Sequence, residues 1–409
     1  MTIRDKTAIV GVGATPYYRR GESYPQTELE MACRAILLAL EDAGLTVADV
    51  DGFALFAYGY DPAQVAATLG VPEVRFSAQL TSGGGGSAGA LGLAAAAIEA
   101  GMATCVVSYM TLQQRGRRIG GTAKGGFPEH ALGSYGGHAV SPLAAFTAND
   151  GLIAPGHQFA WLAQRHMHLY GTKREHFAEV CIASRENARR RPETALHTKP
   201  LTLDDYFNAR MISDPLCLFD YTVESDGAVA VITVAADRAK DLRQPPAYIL
   251  ASAHGGNGRW GPSHLQWFQT PDDEFASSGH RPVAKRLYEM AGIAPADVDV
   301  ALLYDHFSPM VIMQLEDYGF APIGEGGPFV ADGHIAIDGS HPVTTDGGTM
   351  SFSHAGTNPQ MMQRAIRAVQ QLRGDAGPPQ VPDAHIALCS NGGAGALFTT
   401  VLLLGDQPR

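Results

Sequence analysis

Three short stretches of this sequence carry side chains able to move protons. Tyr304, Asp305 and His306 stand together in YDHF (304–307), where the apolar run VALLY ends. Strand ends in α/β proteins face the ligand crevice, so Tyr304 is placed to give or take a proton at a substrate hydroxyl. A core tyrosine with a satisfied hydroxyl is the alternative. His306 is a further candidate, and Asp305 is suited to orient a neighbour. His354 lies in the glycine-rich stretch GGTMSFSHAG (347–356). An imidazole there suits acid–base work or oxyanion stabilisation near neutral pH, and a loop histidine is otherwise structural. Cys389 opens CSNGGAGA (389–396).

A fourth stretch, QLTSGGGGSAGALG (79–92), asks to be a phosphate cradle and fails the test. The P-loop needs a lysine after its last glycine, and Ser87 follows Gly86 instead. GVGATP (11–16) has Pro16 where a dinucleotide-binding fold needs its third glycine. What remains is a loop feeding a helix of small residues, built for tight packing, with a second copy of the chain as one partner to pack against. Its N-terminal amides attract negative charge such as an oxyanion; the other reading is a tight turn without chemistry. His166 and His168 are two apart and face different sides of a helix. With no HExxH motif, no metal site is expected.

The elements that must position these residues form a duplicated pattern. LLALEDAGLTVADVDGFALF (37–56) and KRLYEMAGIAPADVDVALLY (285–304) match at a constant offset of 248 residues, Ala43 falling on Ala291 and Asp51 on Asp299. Each copy reads as a helix stopped by glycine, a short loop, DVD, and an apolar strand. The counterpart of Tyr304 in the first copy is Phe56, so the hydroxyl is what the second copy adds. Further apolar strands at 8–13, 103–110, 228–235, 247–254, 385–390 and 396–404 alternate with helices at 27–43, 88–100, 282–291 and 359–373. Near-continuous apolar runs are what strands covered on both faces look like. The reading is an α/β fold of two duplicated halves, 1–240 and 241–409, in layers, with a long insertion at about 112–222 forming a cap subdomain.

The net charge of −11 argues against a nucleic-acid groove. Five scattered cysteines without a CxxC pair read as reduced thiols. No apolar run reaches the ~18 residues of a membrane span, and MTIRDKTAIVGVG lacks a signal-peptide pattern, so a cytoplasmic location is expected.

Five motifs in order resemble the thiolase-like superfamily, closest to its sterol-carrier-type lipid-transfer branch, over nearly the whole chain. They are IVGVGATPYYRR, DPLCLFDYTVESDGAVAVI (214–232), YDHF, GGTMSFSHAG and CSNGGAGA. The resemblance implies a thiolase fold in an α-β-α-β-α arrangement. It sets YDHF where thiolases carry Asn-Glu-Ala-Phe, gives His354 the place of the catalytic histidine of the Gly-His-Pro loop, and gives Cys389 the place of the cysteine base, though a buried, inert thiol is an equal reading. It also puts Gly85 or Gly86 where the nucleophilic cysteine should stand, with Ser82 and Ser87 the nearest hydroxyls. Serine without an adjacent base is a poor nucleophile, so thiolysis and Claisen condensation are not expected.

Members of this branch without that cysteine include steroid side-chain aldolases. The resemblance then implies a retro-aldolase cleaving the Cα–Cβ bond of a β-hydroxyacyl-CoA into a ketone and a shorter acyl-CoA. Tyr304 would serve the hydroxyl proton, and His354 with backbone amides near Gly392 the thioester enolate. Gly85, Gly86, Ser87, Phe352, Asn391 and Gly392 would line the substrate; the family's second tyrosine is expected near Phe352. The alternatives are acyl transfer without a covalent intermediate and a non-catalytic acyl-CoA or lipid scaffold. No cofactor is implied, CoA being part of the substrate. A homodimer is implied, and so is a zinc-ribbon/OB-fold partner of the DUF35 type. The basic run QQRGRRIGGTAKGG (113–126) fits CoA phosphates, a partner's acidic surface, or a solvated loop.

Overall fold

A computed structural model of the chain describes residues 3–56, 61–80, 87–114, 151, 155–256, 272–354, 359–392 and 399–409. Strands are β1 (Thr7–Ala14), β2 (Tyr18–Arg19), β3 (Gly52–Phe56), β4 (Phe76–Leu80), β5 (Cys105–Leu112), β6 (Met211–Ser213), β7 (Leu216–Cys217), β8 (Ser225–Ala235), β9 (Ala247–Gly255), β10 (Val300–Leu302), β11 (Ile386–Asn391) and β12 (Thr399–Gly405). The longer helices are α1 (Glu28–Ala43), α2 (Pro62–Leu69), α3 (Ser87–Glu99), α4 (Pro155–Tyr170), α5 (Arg174–Arg189), α6 (Arg281–Ala291), α7 (Ser308–Asp317) and α8 (Pro359–Arg373); shorter helical turns are left unnumbered.

The duplication seen in the sequence is repeated in the topology. The main sheet runs β10-β11-β12-β9-β1-β8-β5-β3-β4. Within it, β3-β5-β8-β1 has one parallel pair followed by two antiparallel ones, and β10-β11-β12-β9 has the same order of directions. The two half-sheets join where β1 meets β9, Ala8 opposite Tyr248 and Ile9 opposite Ala247. The repeated residues do the same work in each copy. Gly44 (φ 72°) and Gly292 (φ 67°) take the left-handed conformation that ends α1 and α6. The first aspartate of DVD closes its loop, Asp49 accepting from the Thr46 amide at 2.9 Å and Asp297 from the Ala294 amide at 2.7 Å. The second starts the neighbouring parallel strand: Asp51 accepts from the Cys105 amide at 2.9 Å, and Asp299 from the Ile386 amide at 2.8 Å.

Helices fill the layers. α1 covers β1, β8 and β5 on one outer side, and α6 covers β9 and β12 on the other. Both α3 and α8 touch strands of the two halves and form the middle layer, giving the expected α-β-α-β-α order. The small residues of α3 serve this position. A Cβ at Gly92 would lie 2.1 Å from Ser252 Oγ on β9, and one at Gly89 would lie 2.8 Å from Thr400 Cγ2 on β12. The tight packing read from the sequence is thus made against the second half of the same chain.

The described part of the insertion, from residue 155 onward, packs over the second half. α5 lies on the turn Gly348–Phe352 and on α7. Ser184 donates to the Gly347 carbonyl at 2.7 Å. His166 is buried between Thr172 Oγ1 (2.7 Å) and Glu316 Oε1 (3.1 Å), which ties α4 to α7; its helix neighbour His168 is exposed. The basic residues Arg115, Arg117, Arg118 and Lys124 lie outside the described residues.

The glycines of GVGATP hold no nucleotide geometry. They let α1 sit on β1: a Cβ at Gly13 would come within 2.3 Å of the Ala35 carbonyl oxygen, and one at Gly11 within 2.1 Å of the Ala39 oxygen. These are backbone atoms that cannot rotate away. Gly13→Ala should therefore cost about 1–3 kcal/mol through overpacking, read by urea unfolding; an unchanged midpoint would contradict this packing.

Candidate active site

Tyr304 follows β10 and is held by its backbone. Gln314 of α7 donates from Nε2 to the Tyr304 carbonyl at 2.7 Å. The Tyr304 amide donates to Gln314 Oε1 at 3.2 Å and to Ser390 Oγ on β11 at 3.1 Å. The chain can turn there because Ser308 and Pro309 open α7, and proline in a first helical turn loses no helical hydrogen bond. The Tyr304 side chain is 4% exposed.

Asp305 is tied to the glycine-rich stretch. It accepts from the Thr349 amide (2.9 Å), the Thr349 hydroxyl (2.8 Å) and the Met350 amide (3.1 Å), gripping the helical turn Gly348–Phe352. The turn needs its glycines. Gly347 and Gly348 have φ of 92° and 57°, and a Cβ at Gly348 would lie 2.2 Å from Asp305 Oδ2. The fourth donor to Asp305 is Arg364 of α8, at 2.8 Å, and both side chains are 2% exposed. Arg364 also donates to the Leu303 carbonyl at 2.8 Å. Its guanidinium carbon lies 4.8 Å from the centre of the Tyr304 ring.

The turn delivers His354 to the same place. Its backbone is pinned to the start of β8: the His354 amide donates to the Val223 carbonyl at 3.0 Å, and the Ser225 amide donates to the His354 carbonyl at 3.2 Å. The His354 ring centre is 6.4 Å from that of Tyr304. His306 stacks on Tyr304 at 4.1 Å and meets Phe159 of α4 edge-on at 4.5 Å. Burial first, then the Arg364 charge, pushes His354 down to about 3. Burial likewise holds His306 well below the usual imidazole value. Both rings are neutral at pH 7. His354 Nε2 is buried with no hydrogen-bond partner among the described residues, an arrangement that calls for a ligand or a role.

The remaining expected residues divide differently. Cys389, on β11, lies in the core against α8, its thiol donating to the Arg364 carbonyl at 3.6 Å. Burial pushes that thiol up to about 12. Asn391, expected to contact substrate, has its Oδ1 accepting from the Ala88 amide at 2.9 Å, which caps α3. Ser87 is likewise turned inward, donating to Met110 Sδ at 2.9 Å. Gly392 takes φ 82° directly after Asn391, where the strand must turn. Phe352 lies between Tyr17, Arg191 and Arg367 and lines a neighbouring cavity of about 460 Å³. It is not a second phenol beside Tyr304. Gly85 and Gly86 lie outside the described residues.

Sequence reasoning missed Arg364, Gln314 and His280. His280 is fully buried and donates from Nε2 to the Asn391 carbonyl at 3.2 Å, while Ser278 Oγ bridges its Nδ1 (2.9 Å) and Asp317 (2.6 Å). Tyr221 was also missed. Its ring meets Phe307 edge-on at 4.9 Å, and its hydroxyl is buried without a partner among the described residues. Tyr221 ends DPLCLFDY, a motif singled out for resemblance, which was the available signal. Among the described residues no group of three or more His, Cys, Asp or Glu is placed to hold a metal ion, and no helix is long and apolar enough to cross a membrane.

Comparison with known proteins gives a consistent outcome. Residues 261–406 match a family model described as thiolase C-terminal domain-like. The chain is 34% identical to the 17-hydroxy-3-oxo-4-pregnene-20-carboxyl-CoA lyase of Mycobacterium tuberculosis, over 98% of this chain and 99% of the relative. It is 35% identical to the steroid side-chain-cleaving aldolase of Thermomonospora curvata, over 90% of each. Among solved structures, the Ltp2-ChsH2(DUF35) aldolase superposes with a TM-score of 0.86 at 32% identity, covering 99% of both chains.

The buried neutral imidazoles set a pH dependence. His354 and His280 titrate at about 3 and about 4 in the folded chain and near 6.5 when unfolded. Between those limits the unfolded chain binds protons that the folded chain does not, so stability falls as pH falls below about 6.5 and is flat above it. Urea unfolding should show a lower midpoint at pH 5 than at pH 7, with a shallower fall in His354→Gln. An equal slope in both proteins would show that His354 is not buried as a neutral ring.

Proposed function

The chain belongs to the thiolase-like superfamily, in the branch of steroid side-chain aldolases, and from that premise we propose that it cleaves a β-hydroxyacyl-CoA by a retro-aldol reaction at Tyr304 and His354. The observation that carries this reading is their meeting in one buried place: a phenol 6.4 Å, ring centre to ring centre, from a neutral imidazole whose Nε2 has no partner among the described residues.

The chemistry divides between the two side chains. Tyr304, as phenolate, takes the proton of the β-hydroxyl. The O–H electron pair becomes the ketone C=O, the Cα–Cβ bond breaks, and its electrons move onto the thioester as an enolate. His354, in its Nε2–H tautomer, donates a hydrogen bond to the enolate oxygen. Burial keeps that imidazole from becoming a competing cation, and a dry, preorganised donor is worth most where charge develops. The proton taken from the hydroxyl returns to Cα, so the sequence is redox-neutral and leaves a ketone and a shortened acyl-CoA.

This reading includes further assignments. The substrate is a CoA thioester of a steroid or similar side chain, and CoA is carried by the substrate, so no separate cofactor enters. A DUF35-type protein is the proposed partner, as in the aldolase structure this chain resembles. The chain is proposed to act as a homodimer in the cytoplasm, with its two halves divided near residue 240.

Tyr304→Phe should lower kcat by about 10²–10⁴-fold, the usual worth of one positioned acid–base group, with KM little changed. Cys389→Ala should keep turnover close to that of the parent. Steady-state assays on a β-hydroxyacyl-CoA check both; a fully active Tyr304→Phe would remove the assignment, and a Cys389→Ala as impaired as expected for Tyr304→Phe would return the base role to the thiol.

A further inference from the structure

We infer that Arg364 is the positioning residue that makes Tyr304 the base of this site, an inference that rests on the retro-aldol reading. Arg364 enters from α8, 59 residues further along the chain than Asp305. Among the described residues it is fixed by bonds to the Leu303 carbonyl and to Asp305, both at 2.8 Å. Leu303 and Asp305 flank Tyr304, so the guanidinium spans the phenol's own backbone and cannot drift from it. With its central carbon 4.8 Å from the ring centre, it is within range for a cation to stabilise an aromatic face and, more strongly, a phenolate.

Among the described residues, the other groups packed around Tyr304 leave this as the positive charge beside it. His306 stacks on one ring face and is neutral, as is His354. Asp305 is negative, but four donors share its charge: the Thr349 amide and hydroxyl, the Met350 amide and Arg364 itself. Gln314 of α7 and Ser390 of β11 are neutral and bond the Tyr304 backbone. Phe159 of α4 faces His306 and carries no charge. Cys389 is a thiol held protonated. His280 acts on His306 only at longer range and is itself neutral. The Arg364 cation thus acts in opposite directions on the pair: it favours negative charge on Tyr304 and disfavours positive charge on His354. One group is left as base and the other as neutral donor, the division of roles the reaction needs.

The test reads the phenol directly. Phenolate absorbance is titrated in the parent, Arg364→Lys and Arg364→Met, each with and without Tyr304→Phe, so that the difference isolates Tyr304. Lysine keeps the charge without the fork. The Tyr304 signal should appear about 1–3 pH units higher in Arg364→Met than in the parent, with Arg364→Lys closer to the parent. The rising limb of kcat against pH should move the same way, KM changing little. A folded Arg364→Met whose Tyr304 signal stays in place would overturn the proposal, as would equal losses of kcat in the lysine and methionine variants without movement of the limb. Should Arg364→Met fail to fold, Asp305→Asn decides: removing the carboxylate should shift the Tyr304 signal to lower pH, and a shift to higher pH overturns it. The absorbance needs no substrate, so a parent that cleaves no β-hydroxyacyl-CoA counts against the retro-aldol reading alone.

Discussion

A carboxylate and a guanidinium, both 2% exposed and 2.8 Å apart, hold this site together. Burying two charges is expensive, and the attraction between them offsets the cost only when their remaining donors and acceptors are also satisfied. Here they are satisfied by backbone. Asp305 takes the amides of Thr349 and Met350, and Arg364 gives a bond to the carbonyl of Leu303. The pair therefore joins three things that are far apart in sequence: the end of β10, the glycine turn and α8. Tyr304 and His354 are neighbours because of it. Removing either partner would leave the other charge buried and uncompensated, which is why the arrangement is rigid.

The duplicated fold explains where that pair stands. Each half ends a helix with a left-handed glycine, closes a loop with one aspartate and starts a parallel strand with another. The copies also differ at the end of the strand. In the first, the chain passes from Phe56, fully buried; in the second, it passes from Tyr304 into Asp305 and His306. Among the described residues, proton-moving side chains stand at this strand end in the second copy alone. α3, whose N-terminus is the place of the family's nucleophile, has its Ala88 amide occupied by Asn391. Its glycines pack against the opposite half, so in the described residues this helix serves as structure.

The scaffold was legible in the sequence because its signals are local. A glycine stop, a DVD loop and an apolar run can be read without knowing what lies across the fold, and the strands and helices fall within a few residues of where those signals put them. Tyr304 and His354 were legible as motif residues, each in its own stretch. Their partner was not. Arg364 sits in QRAIRAVQQ, a pattern that reads as the charged side of an amphipathic helix, and only the fold reveals that its guanidinium turns inward to Asp305. Gln314 and His280 were hidden for the same reason: their bonds to Ser390 and to the Asn391 carbonyl reach across the fold. Asn391 and Ser87, polar residues beside a glycine loop, also make a cap and a core contact that the sequence did not reveal.

Product identity tests the central claim most directly. The chain is incubated in deuterium oxide with a β-hydroxyacyl-CoA bearing a tertiary hydroxyl, alone and with a DUF35-type partner, and the products are resolved by mass spectrometry. The account predicts equal amounts of a ketone and a shortened acyl-CoA carrying solvent deuterium at Cα, with no free CoA released. Free CoA, or an acyl group moved intact to an acceptor, would contradict it.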